Sequence, residues 1–174
     1  MSSERVVYTI GHSTHDLHEF VDLLKQHEVA AVADVRSQPN SRLEHFRRGP
    51  LQDGLNSEGI GYVFLGRELG ARRDEPECYV DGQAAYDRVA ELPAFLEGLA
   101  RLERRASDHV IALMCAEREP LDCHRTVLVA RQLAARGWHV RHILANGELE
   151  DHAETDHHDE RGRQRAPVRA GGRE

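Results

Sequence analysis

The chain has 174 residues, of which 40% are hydrophobic and 30% charged, with a formal net charge of -7. That suits one α/β domain with a real core and excludes both a wholly disordered chain and two ordinary domains. There is no apolar run of the ~20 residues a membrane helix needs, and no basic-then-apolar leader. Three cysteines, Cys78, Cys115 and Cys123, are too few and too odd in number for a disulfide framework. A cytoplasmic, reduced protein with no membrane partner is therefore expected. The acidic balance argues against a generic nucleic-acid coat but permits a local basic site.

In chain order, Val6-Val7-Tyr8-Thr9-Ile10 is β-branched and aromatic and reads as a strand. Gly11-His12-Ser13 is a tight turn. Leu17, Phe20, Val21 and Leu24 then recur at helical spacing. Ser13 or Thr14 is placed to cap this helix, with Asp16 in capping-box position relative to Ser13. Residues 29–35 are nearly all apolar, as in a strand buried on both faces of a parallel sheet. A polar loop over 36–42, a short helix over 50–57 closed by Gly59, and a strand over 62–65 follow. Residues 66–81 are charged and without period, hence a surface loop. Residues 83–105 read as helix, interrupted near Pro93. His109 to Cys115 is the clearest buried strand, 116–123 a loop, 124–136 a helix closed by Gly137, and 139–144 a last strand.

Strands alternating with helices at this spacing predict a single three-layer, Rossmann-like α/β domain with a mainly parallel sheet of about five strands. The domain spans 1–150. Residues 151–174, acidic and His-rich and then Arg/Gly-rich, read as a disordered polar tail.

Ligands of open parallel sheets bind outside the carboxyl ends of the strands. The residues expected there are Gly11-His12-Ser13, Asp34 to Arg36, Gly66-Arg67, and Cys115-Ala116-Glu117 with Cys123-His124-Arg125 beyond. Between Arg36 and Arg73 there are seven arginines against four acids, although the whole chain is acidic. Such a region suits an anion. His12, Glu117 and His124 have the chemistry for acid–base work, and Arg36, Arg42 and Arg125 for holding the anion.

Cys115, at a strand end before a loop and a helix, invites a nucleophilic role. Thiol phosphatases and rhodaneses, however, place an arginine where this chain has Leu121, and Glu117 and Glu119 would repel a thiolate. Cys115, Cys123 and His124 have C-x7-C-H spacing, unlike the usual zinc knuckle, so no metal site is expected. No Gly-x-Gly-x-x-Gly fingerprint marks a nucleotide cofactor, and no cofactor is identified.

Five motifs occur in order: Thr9-Ile10-Gly11-His12-Ser13; Asp34-Val35-Arg36-Ser37-x-Pro39-x-Ser41-Arg42; Gly59-Ile60-x-Tyr62; Leu65-Gly66-x-x-Leu69-Gly70; and Cys115-Ala116-Glu117-x-x-Pro120-x-x-Cys123-His124-Arg125. Together they resemble a bacterial family of unknown function, domain of unknown function 488, over roughly residues 6 to 150. The resemblance implies a compact Rossmann-like domain and singles out His12, Ser13, Asp34, Arg36, Arg42, Tyr62, Cys115, Glu117, Cys123, His124 and Arg125. It implies no activity.

The leading expectation is a phosphate-bearing ligand, a nucleotide or nucleic-acid end, at the carboxyl edge, with hydrolase or transferase chemistry by His and Glu. The rivals are thiol- or metal-dependent chemistry at Cys115 and Cys123, and a non-catalytic nucleic-acid or adaptor domain.

Overall fold

The computed structural model describes residues 5–70, 79–80, 83–84, 86–116 and 125–152. A six-stranded sheet has the spatial order β3-β2-β6-β1-β7-β8. Its strands are β1 (Val6–Gly11), β2 (Ala31–Asp34), β3 (Gly61–Phe64), β6 (Ile111–Cys115), β7 (His139–Ile143) and β8 (Leu149–Asp151). Two short strands between them in the chain, β4 (Tyr79–Val80) and β5 (Gln83–Ala84), pair only with each other. Neighbours in the large sheet are parallel except β8, which runs antiparallel to β7.

The helices are α1 (Leu17–Gln26), α2 (Arg48–Ser57), α3 (Gly66–Leu69), α4 (Tyr86–Val89), α5 (Pro93–Asp108) and α6 (Arg131–Ala135). A 3-10 turn over Glu44–Phe46 precedes α2, and a π-helical segment, Arg125–Ala130, runs into α6.

Connectivity dictates the layers. From β1 the chain steps through α1 to β2 and through α2 to β3, toward one edge. It then returns through α5 to β6 and passes by α6 to β7, toward the other. Right-handed crossovers in opposite directions put the helices on opposite faces. The core divides accordingly. Phe20, Leu24, Leu51 and Leu55 of α1 and α2 pack with Ile10, Val32 and Met114 on one face. Phe95, Leu99, Leu102 and Leu133 of α5 and α6 pack with Val7, Ala33 and Leu113 on the other. β6 is buried at every position, as its unbroken apolar run predicts.

The architecture matches the expected three-layer Rossmann-like domain, with several local corrections. Asp16, not Ser13 or Thr14, caps α1: its Oδ1 accepts the Glu19 N–H at 2.7 Å. The expected continuous helix from 83 is replaced by β5, α4 and then α5, which opens on Pro93, where a missing N–H costs nothing. The stretch read as a loop from Gly66 begins with α3. Beyond the expected last strand, the chain turns at Gly147 (φ +89°) and adds β8.

Candidate functional site at the carboxyl edge of the sheet

β6 lies between β1 and β2; the connection leaving β6 goes to the α6 face, whereas those leaving β1 and β2 go to the opposite, α1 and α2 face. This is where an open α/β sheet forms a ligand crevice. The register brings Gly11 of β1 level with Cys115 of β6, and Asp34 of β2 level with both Met114 of β6 and Phe64 of β3. Past the strand ends, the His12 N–H donates to the Cys115 carbonyl (2.9 Å) and the Ser13 N–H to the Ala116 carbonyl (3.1 Å). Ser13 sits in the left-handed region at φ +48°. A non-glycine residue held there is a local strain of the kind that gathers at functional sites.

His12 is 4% exposed. Its Nδ1 is 2.9 Å from the Ser13 carbonyl oxygen. A carbonyl only accepts, so Nδ1 carries the hydrogen and the lone pair of the neutral ring lies on Nε2. That Nε2 is buried and has no hydrogen-bond partner among the described residues. Phe46 stacks on the imidazole (4.3 Å between centroids, 18° between planes) and meets Phe20 edge-on, fixing the ring plane. Burial pushes the His12 pKa down to about 4; the Arg36 and His45 charges add to the fall, while the Ser13 carbonyl and Asp34 oppose it.

Behind the ring lies a closed polar network. Asp34 is fully buried and receives both arms of Arg36: Nε at 2.9 Å on Oδ1 and Nη2 at 2.8 Å on Oδ2. Arg36 Nη1 donates to the carbonyls of Phe46 (2.8 Å) and Asn40 (3.3 Å). The Tyr62 hydroxyl donates to Asp34 Oδ2 at 2.6 Å. Its burial and the Asp34 carboxylate both push the Tyr62 pKa up, so the phenol stays a donor. Arg36 thus spends four of its five N–H groups inside the fold and can offer a ligand only its remaining Nη2 hydrogen. It positions this edge more than it grips an anion.

The structure therefore brings together His12, Ser13, Asp34, Arg36, Tyr62 and Cys115. Arg42 stands apart, exposed on the connection before α2. Glu117, Cys123 and His124 lie outside the described residues, and of Arg125 only the backbone, at the start of the π-helical segment, is described. Cys115 is fully buried and disulfide-bonded, which corrects the expectation of free thiols; in this state it has no thiolate to attack with. Among the described residues no group of three or more His, Cys, Asp or Glu side chains is arranged to hold a metal ion.

Phe46 and His45 belong to this site and were not singled out by the sequence. His45 Nε2 donates to the His15 carbonyl at 2.9 Å, and its ring lies 4.4 Å from Phe46. Their one signal was an aromatic residue embedded in an arginine-rich loop.

The model of one protein family, Domain of unknown function DUF488, matches residues 16–132. The chain belongs to this family. The matched span holds Asp34, Arg36, Tyr62 and Cys115 of the edge; His12 lies just before it. No curated protein and no solved structure matches the chain. No helix among the described residues is long and apolar enough to cross a membrane.

Proposed function

We propose that this DUF488 protein binds a phosphate-bearing ligand at the carboxyl edge of β1, β6 and β2 and cleaves or transfers its phosphoryl group, with His12 Nε2 as the proton acceptor. The observation that carries this is the buried Nε2, without a partner among the described residues and oriented by the Ser13 carbonyl and the Phe46 ring. A buried nitrogen with no partner is costly unless something is to meet it. In the hydrolytic case the attacking water gives its proton to Nε2 as its oxygen bonds to phosphorus. The phosphorus–oxygen bond to the leaving group breaks, and that oxygen takes a proton, for which Glu117 and His124 are the assigned donors. Arg36 and Asp34 hold the edge rigid, and Arg42, exposed and without an ion pair among the described residues, supplies positive charge at its margin.

Thermal unfolding with inorganic phosphate, sulfate, nucleotides and simple phosphate esters tests this. A ligand at about 100 times its Kd adds roughly 2.7 kcal/mol, a rise of about 5–10 °C for a chain of this size. The ester that raises Tm is then assayed for turnover, and His12→Asn should lower kcat by roughly 10²- to 10⁴-fold. In the wild type the acid limb of kcat/KM should fall near pH 4, where burial has placed the His12 pKa. No shift with any phosphoryl compound would sink the proposal.

A further inference from the structure

The size of the ligand is set by what borders the buried edge. Arg42 and Arg47, on the connection from β2 to α2, and Arg48, the first residue of α2, are all exposed. Acids outnumber bases in this chain, 30 to 23. Several arginines elsewhere are drawn into ion pairs: Arg5 and Arg136 with Glu103, Arg101 with Glu68, Arg141 with Asp151. None of Arg42, Arg47 and Arg48 forms an ion pair among the described residues.

Two of the three are nevertheless held in place. Arg47 Nε donates to the Ser41 carbonyl at 3.0 Å, and the Arg48 guanidinium lies 4.6 Å over the Phe64 ring. Prior ordering lowers the entropy lost when a side chain grips a partner. Phe64 backs one side of the Arg48 plane and leaves the other for a base to stack on. The row also adjoins the site, since Phe46, which stacks on His12, is the residue before Arg47.

We propose that Arg42, Arg47 and Arg48 form a binding row for a single-stranded nucleic acid, with backbone phosphates on the guanidinium groups and a base on Arg48, leading the strand to His12. This rests on the phosphoryl site proposed above. Three exposed cations within seven residues of chain, without ion pairs among the described residues, exceed what one phosphate group neutralises, and a strand supplies phosphates in series. A lipid surface would need exposed apolar groups beside the charges, and among the described residues the exposed large hydrophobic ones, Leu96 and Val110, lie at α5 and just before β6 instead.

Fluorescence anisotropy with labelled oligo-dT and oligo-U of about 12 nucleotides, titrated at several salt concentrations, tests this. Three phosphate contacts predict a slope of log K against log salt near -2. The triple variant Arg42→Ala, Arg47→Ala, Arg48→Ala should bind at least about tenfold more weakly and flatten that slope. Arg104→Ala, Arg105→Ala removes two other exposed arginines, on α5, that have no ion pair among the described residues, and should change binding by less than about twofold. Equal weakening in both variants, or no strand binding by the wild type, overturns the row. If the wild type ignores strands but is stabilised by phosphate esters, only the row fails. If it responds to neither, the phosphoryl site fails with it.

Discussion

His12 owes its neutral state to burial, and burial makes it a measurable element of stability. Its folded pKa of about 4 lies below the ordinary 6.5. Between those values the unfolded chain binds the proton that the folded chain refuses, so stability rises with pH through this window. The His12 contribution is full above about pH 6.5 and is lost as pH falls toward 4. The depression corresponds to about 3 kcal/mol. His12→Gln keeps a polar side chain that does not titrate. Urea unfolding at about pH 7, 5.5 and 4.5 should show the wild type losing about 2–3 kcal/mol more than this variant across the range. Parallel losses in the two proteins would mean that the folded His12 titrates normally. The sequence put His12 at the edge because it follows a strand and a glycine. It could not show that the ring is buried, since that depends on Phe46, 34 positions away, closing over it.

α3 is a single turn pressed against the connection that leaves β2. A Cβ at Gly66 would lie 1.8 Å from the Arg36 carbonyl oxygen and 2.7 Å from its carbon, both backbone atoms. Neither can swing aside as a side-chain tip could. Gly66→Ala must therefore displace α3 or the Arg36 backbone, and with it the Asp34–Arg36 pair, at a cost of several kcal/mol. Gly49, in the first turn of α2, has nothing within 4 Å of its Cβ position, and Gly49→Ala should stabilise by up to about 1 kcal/mol through backbone entropy alone. Denaturant midpoints compare the two directly. A Gly66→Ala protein within about 0.5 kcal/mol of wild type would refute the contact. These elements also show where local pattern stops informing. β1, β6 and α1 were legible because apolar residues repeat at strand or helix period. α3 was not, because Gly66-Arg67-Glu68-Leu69 has no room for a period and forms by packing on α5. The 3-10 turn carrying Phe46 was hidden in the same way, in a loop whose order comes from Arg36 reaching two of its carbonyls.

At the scale of the whole molecule, β8 extends the sheet past the expected domain end at residue 150. Three residues with one apolar side chain, Leu149, signal no strand by themselves; pairing with β7 makes one, and the hydrophobic pattern in the sequence had already faded by Glu150. Beyond that point Asp151 Oδ1 accepts from His139 Nε2 (2.8 Å) and Arg141 Nε (3.2 Å), both on β7. His152, 5% exposed, places its Nδ1 3.3 Å from Nε2 of the buried His142, whose Nδ1 is in turn 2.5 Å from Thr9 Oγ1 on β1. A hydrogen-bonded chain thus runs from the central strand to the sheet edge, beside a cleft of about 490 Å³ walled by Trp138 and Val140. A chain ending at Glu150 lacks both residues; one ending at His152 keeps them. The half-exposed Asp151 bonds are worth a few tenths of a kcal/mol each, while leaving His142 without its buried partner costs about 1–3 kcal/mol. The shorter chain should therefore melt several degrees below the longer one. Hydrogen exchange should show the added loss of protection in β7 and β1, not in β2 or β3 at the far edge. Equal melting temperatures would mean that the edge pairing is dispensable.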